Sequence, residues 1–102
     1  MVTPLGNGVD TNWSEILNGK SGLKQGTHFE TSDISCRIAG LVPNADEPNG
    51  LQLDDFIEPK EQRKLDRFIQ FGIVAAIEAV ENSGWKPSAL SDQDRTWCDL
   101  DR

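Results

Sequence analysis

Histidine occurs once and cysteine twice in the 102 residues, and these scarcities remove most site chemistries at the outset. A lone His28 cannot complete a Cys–His dyad within a recognisable motif, and a His/Cys metal site would have to be gathered from isolated residues. Cys36 and Cys98 form neither a CxxC motif nor a disulfide framework, so they read as buried or incidental thiols. No apolar run approaches the roughly 18 to 20 residues that a membrane span requires. Residues 1–8 have no basic flank, apolar run or small-residue cleavage pattern, so no secretory leader is expected and the expected location is cytoplasmic. Basic residues are the minority, 10 Lys and Arg against 17 Asp and Glu, for a net charge of −7. That balance argues against general nucleic-acid binding, which needs clustered cations to displace counterions from phosphates.

Leu, Ile, Val and Phe make up about a quarter of the chain, above the level at which chains stay disordered. The length allows one domain, and area scaling predicts that it would bury about 65% of its unfolded surface. Val9, Trp13, Ile16 and Leu17 share one face of a 3.6-residue period, predicting a helix over residues 9–18 that Gly19 stops. Asn12, three residues before Glu15, offers an alternative capped start. Pro4, Gly6 and Gly8 make the preceding segment a turn, and the Gly-, Ser- and Thr-rich stretch 19–33 reads as a loop. Residues 34–42 alternate, with Ile34, Cys36 and Ile38 on one side, as a half-buried strand does. Two prolines, two asparagines and a glycine make residues 43–50 a surface turn.

Pro59 suits a helix N1 position, and Asp54, Asp55 and Glu58 before it complement the dipole. Helical pattern then runs to Asn82, with Gly84 placed as its stop. Leu65, Ile69, Ile73, Ile77 and Val80 form a stripe with Phe68, Gly72, Ala75 and Ala79 beside it, so the helix is apolar on more than one face and is expected to be buried. Asp66 offers a cap for a second helix after a one-turn break.

Lys60, Arg63, Lys64 and Arg67 are four of the ten basic residues, at offsets 0, 3, 4 and 7. On a continuous helix they form one stripe. Glu61 and Asp66 inside the run suit an ordinary solvated face. Positive charge near a helix start opposes the dipole, however, and in an acidic chain this suggests a docking patch that steers an acidic partner. Other constellations fail. The carboxylates form no catalytic pair or calcium loop, and Gly6-Asn7-Gly8 is too short for a dinucleotide fingerprint. Read from the residues alone, the chain has no catalytic site, cofactor site or metal site.

A wider pattern is carried by Val2-Thr3-Pro4-Leu5-Gly6-Asn7, Trp13, Gly19-Lys20-Ser21-Gly22, Phe29-Glu30-Thr31-Ser32 and Ala39-Gly40-Leu41-Val42. It continues through Lys60-Glu61-Gln62-Arg63-Lys64, Asp66, Phe68-Ile69-Gln70-Phe71-Gly72 and Asn82-Ser83-Gly84. In order and spacing these elements resemble the bacterial β-ketoacyl-acyl carrier protein synthases of the type II branch, over residues 1–95. The resemblance implies an α/β fold, the N-terminal part of a thiolase-like αβαβα architecture, here mostly helical with one short strand and an incomplete core. It implies homodimers of much longer chains. It also implies decarboxylative condensation of malonyl and acyl carrier protein by a Cys nucleophile assisted by two histidines and a lysine. None of those catalytic residues maps onto this chain: Cys36 and His28 stand in other contexts. The resemblance does carry over Lys60, Arg63 and Lys64, which match the family's basic positions facing the acidic acyl carrier protein; Arg67 matches less closely.

Family members place a core strand before the segment matching residues 1–7, and continue after Asp94-Arg95 into a buried Gly-rich strand. The expectation is therefore an N-terminal portion of the enzyme with residues 96–102 as a tail outside the family pattern, which a one-base slip of reading frame would produce: shifting the codons of residues 96–102 by one base turns the Trp97-Cys98 junction into a Gly codon. Two rivals stay open. One is a non-enzymatic small acidic module that binds acyl carrier protein, and the other a polyketide or initiation-type synthase relative.

Overall fold

A computed structural model describes residues 1–26, 29–30 and 32–97. The segment expected to be a plain turn is a small hairpin. Strands β1 (Val2–Thr3) and β2 (Gly6–Asn7) pair antiparallel with Val2 opposite Asn7 and Thr3 opposite Gly6. Gly6 has φ 144°, and a Cβ there would sit 2.8 Å from that of Asn49, so the hairpin can lie against the 44–49 loop only without a side chain. The Asn7 N–H donates to the Asn49 carbonyl across this contact at 3.3 Å.

Helix α1 (Val9–Leu17) follows, ending at Asn18 and Gly19 as expected. Asn12 is not a cap but an interior residue of α1, and it is buried. Its amide donates to the carbonyls of Gly6 at 3.1 Å and Gly8 at 2.7 Å, and its oxygen accepts the Thr3 hydroxyl. One side chain thus ties both hairpin strands to the helix. The N-cap residue Gly8 has no side chain to offer, and Glu78 fills that role from α3 by accepting the Val9 N–H at 2.8 Å. Glu78 also pairs with the Met1 ammonium.

The expected loop 19–33 contains a strand, β3 (Leu23–Gln25), paired antiparallel with β4 (Ile38–Gly40) so that Leu23 meets Gly40 and Gln25 meets Ile38. The strand expected over 34–42 is correspondingly shorter, because its partner supplies three residues of ladder. Upstream, the Arg37 guanidinium donates to the carbonyls of Ser32 at 2.9 Å and Ile34 at 3.4 Å, curling the backbone that would have extended β4. Ile34, Cys36 and Ile38, expected on a half-buried face, are all exposed.

A 3-10 turn (Leu53–Asp55) leads into α2 (Pro59–Gln62), with Pro59 at its first position. Helix α3 (Arg67–Ser83) starts after a break, with Asp66 at the N-cap and Gly84, at φ 66°, closing it as expected. A short α4 (Leu90–Gln93) completes the described elements. The long helix is less buried than its pattern implies: within α3 only Gln70 and Val74 are buried, while Phe68 and Val80 are exposed.

Among the described residues the buried apolar set is Leu51, Ile57 and Val74. The accessible surface is 7947 Å², whereas a compact chain of 11.3 kDa would expose about 5700 Å². The radius of gyration, 16.3 Å, likewise exceeds the roughly 13 Å expected of a globule this long. About half of the unfolded surface is buried instead of the expected 65%. The mixed helix and strand content is that of an α/β chain with an open core.

Candidate functional site

The basic residues lie on a turn, not along one helix. Lys60 belongs to α2, Arg63 is its C-terminal cap, Lys64 sits in the break, and Arg67 opens α3. The single stripe expected of a continuous helix is therefore corrected to a bend that displays cations from two elements and their junction. The bend falls at Asp66, whose backbone is extended, φ −64° and ψ 152°, between the end of one helix and the start of the next. Its carboxylate makes no capping hydrogen bond.

Two amides hold this turn. Gln62 donates through Nε2 to the Asp54 carboxylate and to the Ile57 carbonyl, both at 2.8 Å, fastening α2 to the preceding 3-10 turn. Gln70 reaches back from α3 to the carbonyls of Gln62 at 2.8 Å and Leu65 at 3.2 Å. A helix end leaves its carbonyls short of intrahelical partners; the Gln62 carbonyl accepts the Leu65 N–H at 3.4 Å, and the Gln70 amide adds a second donor there and one at Leu65. Residue-type patterns gave no sign of either role. The only available signal was that a glutamine interrupted the apolar run Phe68-Ile69-Gln70-Phe71.

All four cations are exposed. Lys64 pairs with Glu61 at 3.2 Å, an exposed contact of the kind worth at most about 1 kcal/mol and readily exchanged for another carboxylate. Lys60 and Arg63 have no carboxylate within ion-pair distance among the described residues. Positions 60–67 carry four positive and two negative charges, a local balance of +2 in a chain of −7. Arg67 rests over the Phe71 ring at 5.3 Å and donates to the Asn44 side-chain oxygen at 3.2 Å.

Cys36, expected to be buried or incidental, is an exposed free thiol. His28 and Cys98 lie outside the described residues. Among the described residues no three His, Cys, Asp or Glu side chains gather as a metal site, and no helix is long and apolar enough to cross a membrane.

The described chain thus combines a hairpin feeding a helix, an α/β content with an open core, and a cationic bend before a long apolar helix. The chain belongs to the β-ketoacyl synthase family, whose N-terminal domain it matches over residues 1–100. It is 42% identical over 94 residues to the 3-oxoacyl-[acyl-carrier-protein] synthase 2 of Rhizobium meliloti, covering 91% of this chain and 22% of that protein. The synthase 2 of Vibrio cholerae is 42% identical over 84 residues, or 82% of this chain and 19% of that protein. That of Staphylococcus aureus is 38% identical over 82 residues, 80% of this chain and 19% of that protein. The chain thus spans about a fifth of the length of the curated relatives it matches.

Proposed function

We propose that this chain provides the acyl carrier protein docking surface of a 3-oxoacyl-acyl carrier protein synthase of thiolase-like fold. The enzyme condenses the malonyl group of one carrier protein with the acyl group of another, releasing CO2, in fatty acid elongation; this chain supplies the surface and not the catalytic groups. The observation that carries the reading is the exposed bend bearing Lys60, Arg63 and Lys64, held in shape by Gln62 and Gln70. Compact charges on a fixed turn attract an acidic protein from a distance and set its orientation on arrival. Family membership and the names of the relatives point to acyl carrier protein as that partner. A homodimeric, cytoplasmic enzyme belongs to the same reading. A free-standing binding module is disfavoured by the 7947 Å² surface, which leaves Trp13, Leu17 and Phe68 among many apolar side chains in water.

The test is titration of isotope-labelled acyl carrier protein with this chain, followed by NMR. Shifts are expected to cluster on the acidic face of the carrier protein. Lys60→Glu, Arg63→Glu and Lys64→Glu together should abolish them, while Lys86→Glu, beyond the far end of α3, should not. Equal shifts with the triple variant would refute the reading.

A further inference from the structure

We propose that Arg67 is a fourth docking cation, held ready for an acidic partner by Asn44 and Phe71. The inference rests on the bend being a carrier-protein surface and adds to it a residue and a mechanism of positioning. Arg67 is exposed, and no carboxylate lies within ion-pair distance of it among the described residues. Its guanidinium has five donors, and the structure uses one terminal nitrogen, on the Asn44 oxygen at 3.2 Å. The Phe71 ring lies 5.3 Å from the guanidinium carbon and adds a cation–π contact, while the remaining donors make no hydrogen bond among the described residues and are open to a carboxylate.

Asn44 is itself fixed. Its N–H donates to the Glu47 carboxylate at 3.2 Å, its carbonyl accepts the Glu47 N–H at 2.9 Å, and Glu47 pairs with Lys24 of β3 at 2.5 Å. The 44–50 loop therefore braces Arg67 against the β3–β4 hairpin. Packing of the loop leaves no slack, since a Cβ on Gly50 would fall 1.8 Å from the Asn44 carbonyl oxygen. A flexible arginine would lose much of its freedom on docking; one already stacked and hydrogen-bonded loses less. The position is also electrostatically costly to the helix, because a cation at N1 opposes the dipole of α3. A residue kept only for helix stability would not be a cation there.

The experiment measures affinity of the whole chain for immobilised acyl carrier protein at about 0.01 M and about 0.15 M ionic strength, between which the screening length falls from about 30 Å to about 8 Å. Arg67→Ala is expected to bind about three- to fivefold more weakly at low salt and to show a shallower salt dependence. Arg67→Lys should restore the salt dependence and most of the affinity, because it restores the charge without the planar fork. Asn44→Ala should weaken binding by about twofold with the wild-type salt dependence, because it loosens the arginine without removing charge. Far-UV circular dichroism of each variant should match the parent. If Arg67→Ala binds like the parent at both salts while the triple variant at 60, 63 and 64 does not, the Arg67 inference fails and the docking reading stands. If the triple variant also binds like the parent, both fail.

Discussion

At the scale of single residues, the described structure depends on two buried polar side chains rather than on its largest apolar ones. Asn12 satisfies the Gly6 and Gly8 carbonyls and the Thr3 hydroxyl. Gln70 satisfies the Gln62 and Leu65 carbonyls at the bend. Removing either side chain takes one hydrogen bond from each carbonyl it serves, about 0.5 to 1.5 kcal/mol apiece, although the Gly8 carbonyl keeps the Asn12 N–H and the Gln62 carbonyl keeps the Leu65 N–H. Asn12→Ala is therefore expected to speed amide exchange in α1 about tenfold or more, read by hydrogen exchange. Gln70→Leu should do the same for amides 64–70 and, by loosening the bend, weaken carrier-protein binding although no charge changes. Unaltered exchange at 64–70 in Gln70→Leu would show that the amide is not what holds the turn.

At the scale of elements, the two ends of α1 have different origins. Its C-terminus was legible in the sequence because Gly19 is a local signal, as were Pro59 at the start of α2 and Gly84 at the end of α3. Its N-terminus depends on Glu78, 69 residues away, and no periodicity announces a cap from another helix. Glu78→Ala should thus fray the first turn of α1, a loss of about 0.5 to 2 kcal/mol measurable as faster exchange at 9–12. Asp66→Ala should be nearly silent, within about 0.5 kcal/mol, because its carboxylate makes no capping bond. The three candidate docking residues were legible as a charge cluster and as a family motif. Their placement on a bend was not, since offsets of 0, 3, 4 and 7 look alike whether or not Asp66 breaks the helix. The β3–β4 pairing is hidden for a related reason: three-residue strands joined across a Gly-, Ser- and Thr-rich segment leave too few positions for alternation to show.

For the whole molecule, the apolar faces expected to be buried are left largely uncovered by the described chain. Val9, Trp13, Ile16 and Leu17, the expected core face of α1, are each about half exposed or more. The surface exceeds that of a compact chain of this mass by about 2200 Å², well above the roughly 800 Å² per partner of a standard interface. Faces of that extent are suited to burial within a larger fold, in keeping with a chain that spans about a fifth of its relatives. In isolation the chain should bind a hydrophobic dye at these uncovered faces while the amides of α1 and of the bend stay protected from exchange, whereas failure to bind the dye would mark a self-sufficient domain.

The docking surface is best tested where those faces are covered. The matched segment of the Rhizobium meliloti synthase would be replaced by this chain's residues and condensation assayed against acyl carrier protein concentration. The account predicts an active chimera in which Lys60→Glu, Arg63→Glu and Lys64→Glu together raise KM for the carrier protein by about tenfold or more while kcat changes little. An active chimera whose KM is indifferent to those three charges would contradict it.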